Sequence, residues 1–534
     1  MVVGIFDSRF YKRCQRGLMA LGLTLSLASF SSAQEPGGPL ADPPDFTEIK
    51  TNLPVEMIQV NGNTLVTDQE LSDIIKRFEG RKMSVAEMET LTQLIEQAYR
   101  ERGYFLVNAV VPSQETQRGI LEVLVVEGKI GQVKVEGNDR YDSDFLAGRF
   151  RYAVPPEAAR TKDFQKGLFL LNELPDVQVK AVLSAGAAEG TTDVVLKVEE
   201  DKNWHISTGY NNFGARLTGE HRFSLGTDIS SIFADGDQFV LRGLLSTPAE
   251  NTLFVQGSYS VPVSPSGTRL GIQYANGAYT AGREVAVLDI RGDANIYALT
   301  ASQPLTRSLK YSSDLDFRLG YTDLDNRILG QQLSRDKYTS AGLTYRGRWR
   351  DSSGRFLGSA GVTKGLGGTR KGDPFASRLG AGADFTRFNL DLARIQEFNS
   401  QWLAVLRGSM QFTPDALFSA EQFALGGPDT VRGFSQAEVL GDQAYNTTLE
   451  VRWSPIEDNT DLFQTVFFVD HGGVTRNRPQ AGERGSEKLT GAGLGFRVNF
   501  DQTRIRLDLG FPLSPSSNNR GTSPVIYGQV QTRF

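Results

Sequence analysis

Over most of the chain beyond Trp204, apolar and polar residues alternate one by one. In residues 504–511, Ile505, Leu507, Leu509 and Phe511 share one face of an extended strand, while Arg504, Arg506 and Asp508 share the other. Residues 313–321 repeat the pattern, with Leu315, Phe317 and Leu319 opposite Asp314, Asp316 and Arg318. Residues 448–453 do so again, with Leu449, Val451 and Trp453 opposite Glu450 and Arg452. A soluble sheet seldom carries such an apolar face on strand after strand without helices to cover it. A membrane β-barrel does, because one face meets lipid and the other an aqueous lumen. Between turn signals such as Asn211-Asn212, 265–267, 352–354 and 514–521, the chain holds about sixteen antiparallel segments of this kind. The closing segment carries Ile526, Val530 and the terminal Phe534 on its lipid side. A terminal aromatic is the signal by which outer-membrane barrels are recognised by the barrel-assembly machinery, so Phe534 predicts a bacterial outer-membrane location.

Upstream of Trp204 the periodicity changes. A short β pattern at 57–62 is followed by the capping box Ser84-x-x-Glu87. Met88, Leu91, Ile95, Ala98 and Tyr99 then recur at helical spacing, and Gly103 ends the helix. Residues 104–111 and 119–126 are β-branched and read as strands. The plan then repeats. Val60-Asn-Gly-Asn63 returns as Val135-Glu-Gly-Asn138, and residues 120–127 are echoed by 192–199. Two copies of a β-α-α-β-β module are therefore expected, at 55–128 and 129–201, ahead of a barrel at 202–534.

The first 33 residues read as a signal peptide, with Lys12, Arg13 and Arg16 ahead of an apolar core and Ser31-Ser-Ala33 before the cut. A leader at 34–54 follows, rich in Pro, Gly and acidic residues. The one cysteine, Cys14, lies within the signal, so disulfides and Cys-based metal sites are not expected.

The 56 glycines and 32 phenylalanines beside a mean hydropathy of -0.29 suit strands that show lipid only alternate residues. A net charge of -5 offers no basic field for nucleic acid. His205, His221 and His471 lack metal-ligand spacing, and no glycine-rich loop ends in Lys-Ser or Lys-Thr. Neither a cofactor nor a catalytic site is expected. Asp470-His471 could pass for half a catalytic dyad, but adjacent strand residues point to opposite faces.

One loop stands out, Leu425-Gly-Gly-Pro-Asp-Thr-Val-Arg-Gly-Phe434. Downstream, Phe467-Phe-Val-Asp-His-Gly472 puts a carboxylate on a strand facing the same lumen. A loop arginine and a strand aspartate inside one barrel suggest a plug held by a salt bridge. The plainer reading is a solvated Arg432 and an ordinary lumen charge at Asp470.

Taken together these residues resemble the TpsB transporters of two-partner (type V) secretion, the ShlB/FhaC/HecB family of haemolysin secretion and activation proteins. The resemblance spans nearly the whole mature chain. It rests on the module pair, read as two α+β POTRA domains, and on the barrel. It rests also on the loop residues Gly426, Gly427, Val431, Arg432, Gly433 and Phe434, and on Phe468, Asp470 and Gly472 of the strand motif. Asn212, Gly214 and Thr218-Gly219 resemble that family's barrel entry. The resemblance implies periplasmic POTRA domains that capture an unfolded, TpsA-like secreted exoprotein, and a monomeric barrel in outer-membrane lipid that conducts it. It implies that Arg432, at the tip of an inward-folded loop, pairs with Asp470. Exchanging the two charges should recover part of what Arg432→Ala removes only if the two groups touch. Residues 104–111 or 178–183 would offer an open sheet edge to the exoprotein; the alternative is that both are core strands. Family members can carry an N-terminal plug helix, but Pro36, Pro39, Pro43 and Pro44 interrupt the short leader here. A barrel-assembly factor and a passive diffusion channel are the competing functions.

Overall fold

The computed structural model describes residues 53–114, 119–247, 252–516 and 523–534; the signal peptide and nearly all of the leader fall outside the described residues. The chain parts into two compact units. One holds residues up to Glu136 together with Val154–Phe164 and Lys180–Lys197; the other holds Gly137–Ala153, Gln165–Val179 and Val198–Phe534.

The first module is a three-stranded sheet in the order Met57–Asn61, Ile120–Glu127, Val107–Val110, sharing one hydrophobic core with helices Asp68–Ile75 and Val85–Glu101. The capping box forms, with the Glu87 amide donating to Ser84 Oγ at 3.3 Å and the Ser84 amide to Glu87 at 2.8 Å. Met88, Leu91, Ile95, Ala98 and Tyr99 are all buried. A small extra pair, Leu53–Val55 with Arg81–Met83, lay outside the sequence pattern. The strand at 104–111 is shorter than its β-branched run, and it stands at a sheet edge.

The second module runs through strand Lys129–Glu136, helices Ser143–Ala153 and Thr161–Asn172, and strands Val177–Ala185 and Thr191–Glu200. Its sheet order places Val177–Ala185 at an edge. The two modules repeat in detail. Gly62 and Gly137 both take a left-handed φ, +86° and +84°. A Cβ on either would lie 2.3 Å from Val125 O or 2.5 Å from Val198 O, so only glycine fits both demands. Asn63 donates to Val66 O at 3.0 Å and Asn138 to Tyr141 O at 2.7 Å. Glu127 accepts from the amides of Thr64 and Leu65, and Glu200 from those of Asp139, Arg140 and Tyr141. Glu127 thus corresponds to Glu200, so the echo of 120–127 is 193–200, one residue later than the pattern match suggested. Burial opposes charge on Glu127, but the bonds from Thr64, Leu65 and Tyr99 outweigh it and hold the carboxyl below its usual range.

Sixteen antiparallel strands close into a barrel, from Trp204–Asn211 to Val525–Arg533. Closure pairs the first strand with the last, Ser207–Asn211 against Gln529–Arg533, so the sheet does not end in an open edge as a flat sheet in lipid would. Leu225, Ile272 and Leu299 face outward and exposed, as a lipid-facing band requires. Aromatic pairs mark both rims: Trp402 with Trp453 at 6.1 Å and Tyr311 with Trp349 at 4.7 Å at one end, Tyr210 with Phe223 at 5.3 Å at the other. The first rim also carries second-module contacts, including the Glu173–Arg307 ion pair and the Asp142 amide on Asp235 at 3.3 Å.

The seam between first and last strands ends with Phe534, whose amide donates to Ile206 O at 2.8 Å. Towards the other rim Asn212 closes the same seam, donating to Ile526 O at 2.8 Å and accepting from the Gly528 amide at 2.7 Å. Gly214 turns the chain beside it, where a Cβ would lie 1.7 Å from Gly219 O. Asn212→Ala is expected to cost about 1–2 kcal/mol at the seam, read as a lower temperature for loss of heat-modifiable migration in detergent gels.

Candidate functional site

Residues 413–442 connect the eleventh barrel strand, Trp402–Phe412, to the twelfth, Gln443–Trp453, and fold back along the lumen wall. Phe423–Leu425 pairs antiparallel with Val439–Gly441, which makes the base of the segment a hairpin. Beyond it Gly426, Gly427 and Gly433 take φ of +105°, +106° and +99°, conformations that L side chains rarely adopt. Leu425, Val431 and Phe434 are buried with Val439 against Ala444, Val474 and Leu489 of the wall. Such burial stabilises by about 1.5–3 kcal/mol for each large apolar side chain.

The wall makes room with glycines of its own. A Cβ on Gly491, in the fourteenth strand Ser486–Phe500, would lie 1.9 Å from Arg432 O. One on Gly510, in the fifteenth strand Thr503–Pro512, would lie 2.5 Å from the Gly433 amide nitrogen. Gly472, in the thirteenth strand Phe463–Thr475, admits Leu425, whose Cδ1 would lie 2.7 Å from a Cβ there. The loop backbone and the barrel backbone are therefore in direct contact.

Arg432 is 2 % exposed and Asp470, on the thirteenth strand, is 0 % exposed. The guanidinium grips the carboxylate with two prongs, Nε to Oδ2 at 2.7 Å and Nη2 to Oδ1 at 2.9 Å; the Arg432 amide adds a third bond at 3.1 Å. The planar fork of arginine matches a carboxylate in a way that a lysine cannot. Phe468 lies beneath, its ring centroid 3.4 Å from the guanidinium carbon, adding a cation–π contact. Nη1 then donates to Glu450 at 2.8 Å.

Two further carboxylates complete the cluster. Glu450 accepts from Arg452 at 2.6 Å. Asp508 accepts from Arg497 and Arg506 at 2.7 Å each, with Arg432 Nη1 at 3.8 Å. Each carboxylate of this cluster thus faces at least one guanidinium, which offsets a desolvation cost of several kcal/mol per ion. Arg506 also holds the loop from below, donating to Pro428 O at 2.5 Å and pairing with Asp429 at 3.2 Å. Tyr527 of the last strand accepts from the Gly433 amide at 3.0 Å and donates to Phe434 O at 2.5 Å.

The structure thus brings Arg432, Phe468 and Asp470 into contact, with Gly426, Gly427, Val431, Gly433, Phe434 and Gly472 shaping the seat. Phe534 stands apart at the seam, half exposed. His471 points outward, bonded to Tyr445 at 3.0 Å and Thr490 at 2.9 Å. Sequence reasoning did not single out Glu450, Arg497, Asp508, Tyr527, Gly491 or Gly510. Alternation placed Glu450 and Asp508 in the lumen, but nothing local says that they meet Arg432.

A second buried ion pair secures the root of the segment. Asp442, 0 % exposed, accepts two bonds from Arg378 Nη1 at 2.7 and 2.8 Å, and the amides of Leu417 and Asn477 at 2.9 and 2.7 Å. One carboxylate therefore gathers three loops of the rim opposite Trp402 and Trp453.

Similarity to known proteins fits this architecture. Residues 53–128 match the ShlB-type POTRA domain, and residues 190–498 match the haemolysin secretion/activation protein ShlB/FhaC/HecB family. The chain is 24% identical over 536 residues to the heme/hemopexin transporter protein HuxB of Haemophilus influenzae, covering 96% of this chain and 94% of that one. It is 23% identical over 488 residues to the outer membrane transporter CdiB of Escherichia coli O6:K15:H31, covering 86% and 79%. The solved CdiB from Escherichia coli superposes with a TM-score of 0.72 at 19% identity, over 99% of this chain and 98% of that one, and so shares the fold. The matched span exceeds half of the chain, and the chain belongs to the ShlB/FhaC/HecB family of haemolysin secretion/activation proteins, two-partner secretion transporters of the outer membrane.

Proposed function

We propose that the chain captures an unfolded secreted partner protein through two POTRA domains and passes it through the barrel, with the Arg432 segment as a seated obstruction that must leave its place. The observation that carries this reading is the buried Arg432–Asp470 pair, because a permanently charged loop tip held inside an aqueous barrel can be released without unfolding the wall.

We place a signal peptide at 1–33, a leader that ends where the strand Leu53–Val55 begins, POTRA domains from there to 128 and at 129–201, and the barrel at 202–534. The shared glycine turn and glutamate cap support a second POTRA domain beside the matched one. An extended substrate can add to an open edge through its backbone alone. Val177–Ala185 is the better edge, since it is longer than Val107–Val110 and leaves Val182 and Leu183 exposed.

The test compares culture medium and outer membrane by mass spectrometry in cells with and without the protein. Loss of one large exoprotein from the medium, with outer-membrane barrels unchanged, is the expected result. Broad depletion of barrels with no missing exoprotein would overturn it in favour of an assembly factor.

A further inference from the structure

The lumen face of the barrel is not electrically balanced. Five of its arginines, Arg222, Arg269, Arg318, Arg407 and Arg504, have no carboxylate oxygen within 4.0 Å among the described residues. Arg318 donates only to Gln273, and Arg269 only to oxygens of Gly236, Gln238 and Ser260. The Arg222 Nε is buried with no partner. Against these, among the described residues, stand two carboxylates on the lumen face of the barrel strands with no cation within 4.0 Å. Asp336 accepts from the Ser377 amide, and Asp391 accepts from the hydroxyls of Ser359 and Ser409.

Register shows that the five share the inner face. Arg407 pairs across to Thr448, which pairs to Asp470. Arg504 alternates in phase with Arg506 and Asp508. Arg318 stands opposite Thr300, in phase with Asp316. Arg222 lies opposite Asn211 and Ser246, and Arg269 opposite Ser302.

Their heights differ in an ordered way. Arg269 opens the fifth strand, Arg269–Thr280, and Arg504 is the second residue of the fifteenth, both at the rim that carries the second module. Arg407 is the middle residue of the eleventh strand, and Arg318 lies within the seventh, Tyr311–Ile328. Arg222 is near the start of the second strand, His221–Ser230, at the opposite rim. Guanidinium groups without a direct ion-pair partner thus recur from one mouth to the other, in a chain whose net charge is -5. A narrow passage with low-dielectric walls focuses such a field and raises the local concentration of anions.

We infer that the lumen is an anion-attracting passage, and that the polypeptide it conducts is acidic and extended. The second half of this inference rests on the translocation reading; the first half does not. Guanidinium groups at successive heights offer transient, replaceable partners to carboxylates moving past, so no single site traps the chain. A basic segment would meet repulsion at each height.

The experiment uses the full-length protein in a planar bilayer of neutral diphytanoylphosphatidylcholine under a potassium chloride gradient. The reversal potential is expected to give a chloride-to-potassium permeability ratio above about 2 at low salt, shrinking as salt screens the field. Neutralising Arg318→Gln, Arg407→Gln and Arg504→Gln together should lower that ratio by at least about half, with heat-modifiable migration reporting that the barrel has assembled. Poly-L-glutamate added on the side of the Arg269 and Arg504 rim should block current more strongly than poly-L-lysine of equal length. A cation-selective or unselective parent, an unchanged ratio in the assembled triple variant, or preferential block by polylysine overturns the inference. If the triple variant does not assemble, the parent's reversal potential and the two peptides decide alone. Anion selectivity with no exoprotein lost on deletion would leave the passage as inferred and remove the translocation reading. A lost exoprotein with a cation-selective pore would do the reverse.

Discussion

Arg432→Ala is expected to lower export of the partner protein by at least about tenfold and to raise the conductance of the pore, while the barrel still assembles. The substitution removes both prongs on Asp470 and the bond to Glu450. Asp470 is then left buried with only the residue 432 amide as donor. Breaking a buried pair by deleting one partner costs about 3–5 kcal/mol, enough to unseat the loop more than a hundredfold on the arithmetic of about 1.4 kcal/mol per decade. Arg432→Lys should be intermediate, since it keeps the charge and loses the fork.

The exchange Arg432→Asp with Asp470→Arg is a poor rescue, contrary to what a two-residue lock implies. Glu450 lies 2.8 Å from Arg432 Nη1 and Asp508 3.8 Å away. An aspartate at 432 would face both, so like-charge repulsion cancels the new pair, and no recovery is expected. Export and single-channel conductance in the three variants measure this. An Arg432→Ala protein that matches the parent in both would remove the proposed lock.

Gly491→Val should equal Arg432→Ala in severity while leaving every charge in place. Its Cβ would lie 1.9 Å from the carbonyl oxygen of Arg432, and backbone cannot swing aside as a side-chain tip can. Either the loop leaves or the fourteenth strand shifts, and strand pairing on both sides opposes the shift. The matched control is Gly257→Ala, whose new methyl would meet nothing nearer than Leu241 Cδ1 at 4.0 Å; export should be unchanged. Because Gly491 and Arg432 support one seat, the double variant should be no worse than either single one. Additive defects, or normal export by Gly491→Val, would mean that the seat does not govern passage.

The path from residues to site was uneven, and the reasons are local. The alternation of Ile505, Leu507, Leu509 and Phe511 against Arg504, Arg506 and Asp508 is written into neighbouring positions, and the strand Thr503–Pro512 realises it. The capping box at Ser84 and the helical stripe through Tyr99 are equally local and appear as read. The module repeat was visible in Val60-Asn-Gly-Asn63 and Val135-Glu-Gly-Asn138. Its strand alignment slipped by one residue, because the glutamate that caps each turn is recognised only by the amides it accepts.

The sequence by itself determined the strand period, the duplicated module, the glycine loop with its single arginine, and the carboxylate that shares the lumen with it. These depend on spacing within a few residues, where side-chain direction follows from the backbone. Only the tertiary structure decided which charges share the cluster, that Gly491 and Gly510 leave room for the loop backbone, and that Tyr527 closes over Gly433 from 94 residues away. Those contacts arise from closing the sheet on itself, and the register around a closed barrel is a property of all sixteen strands together.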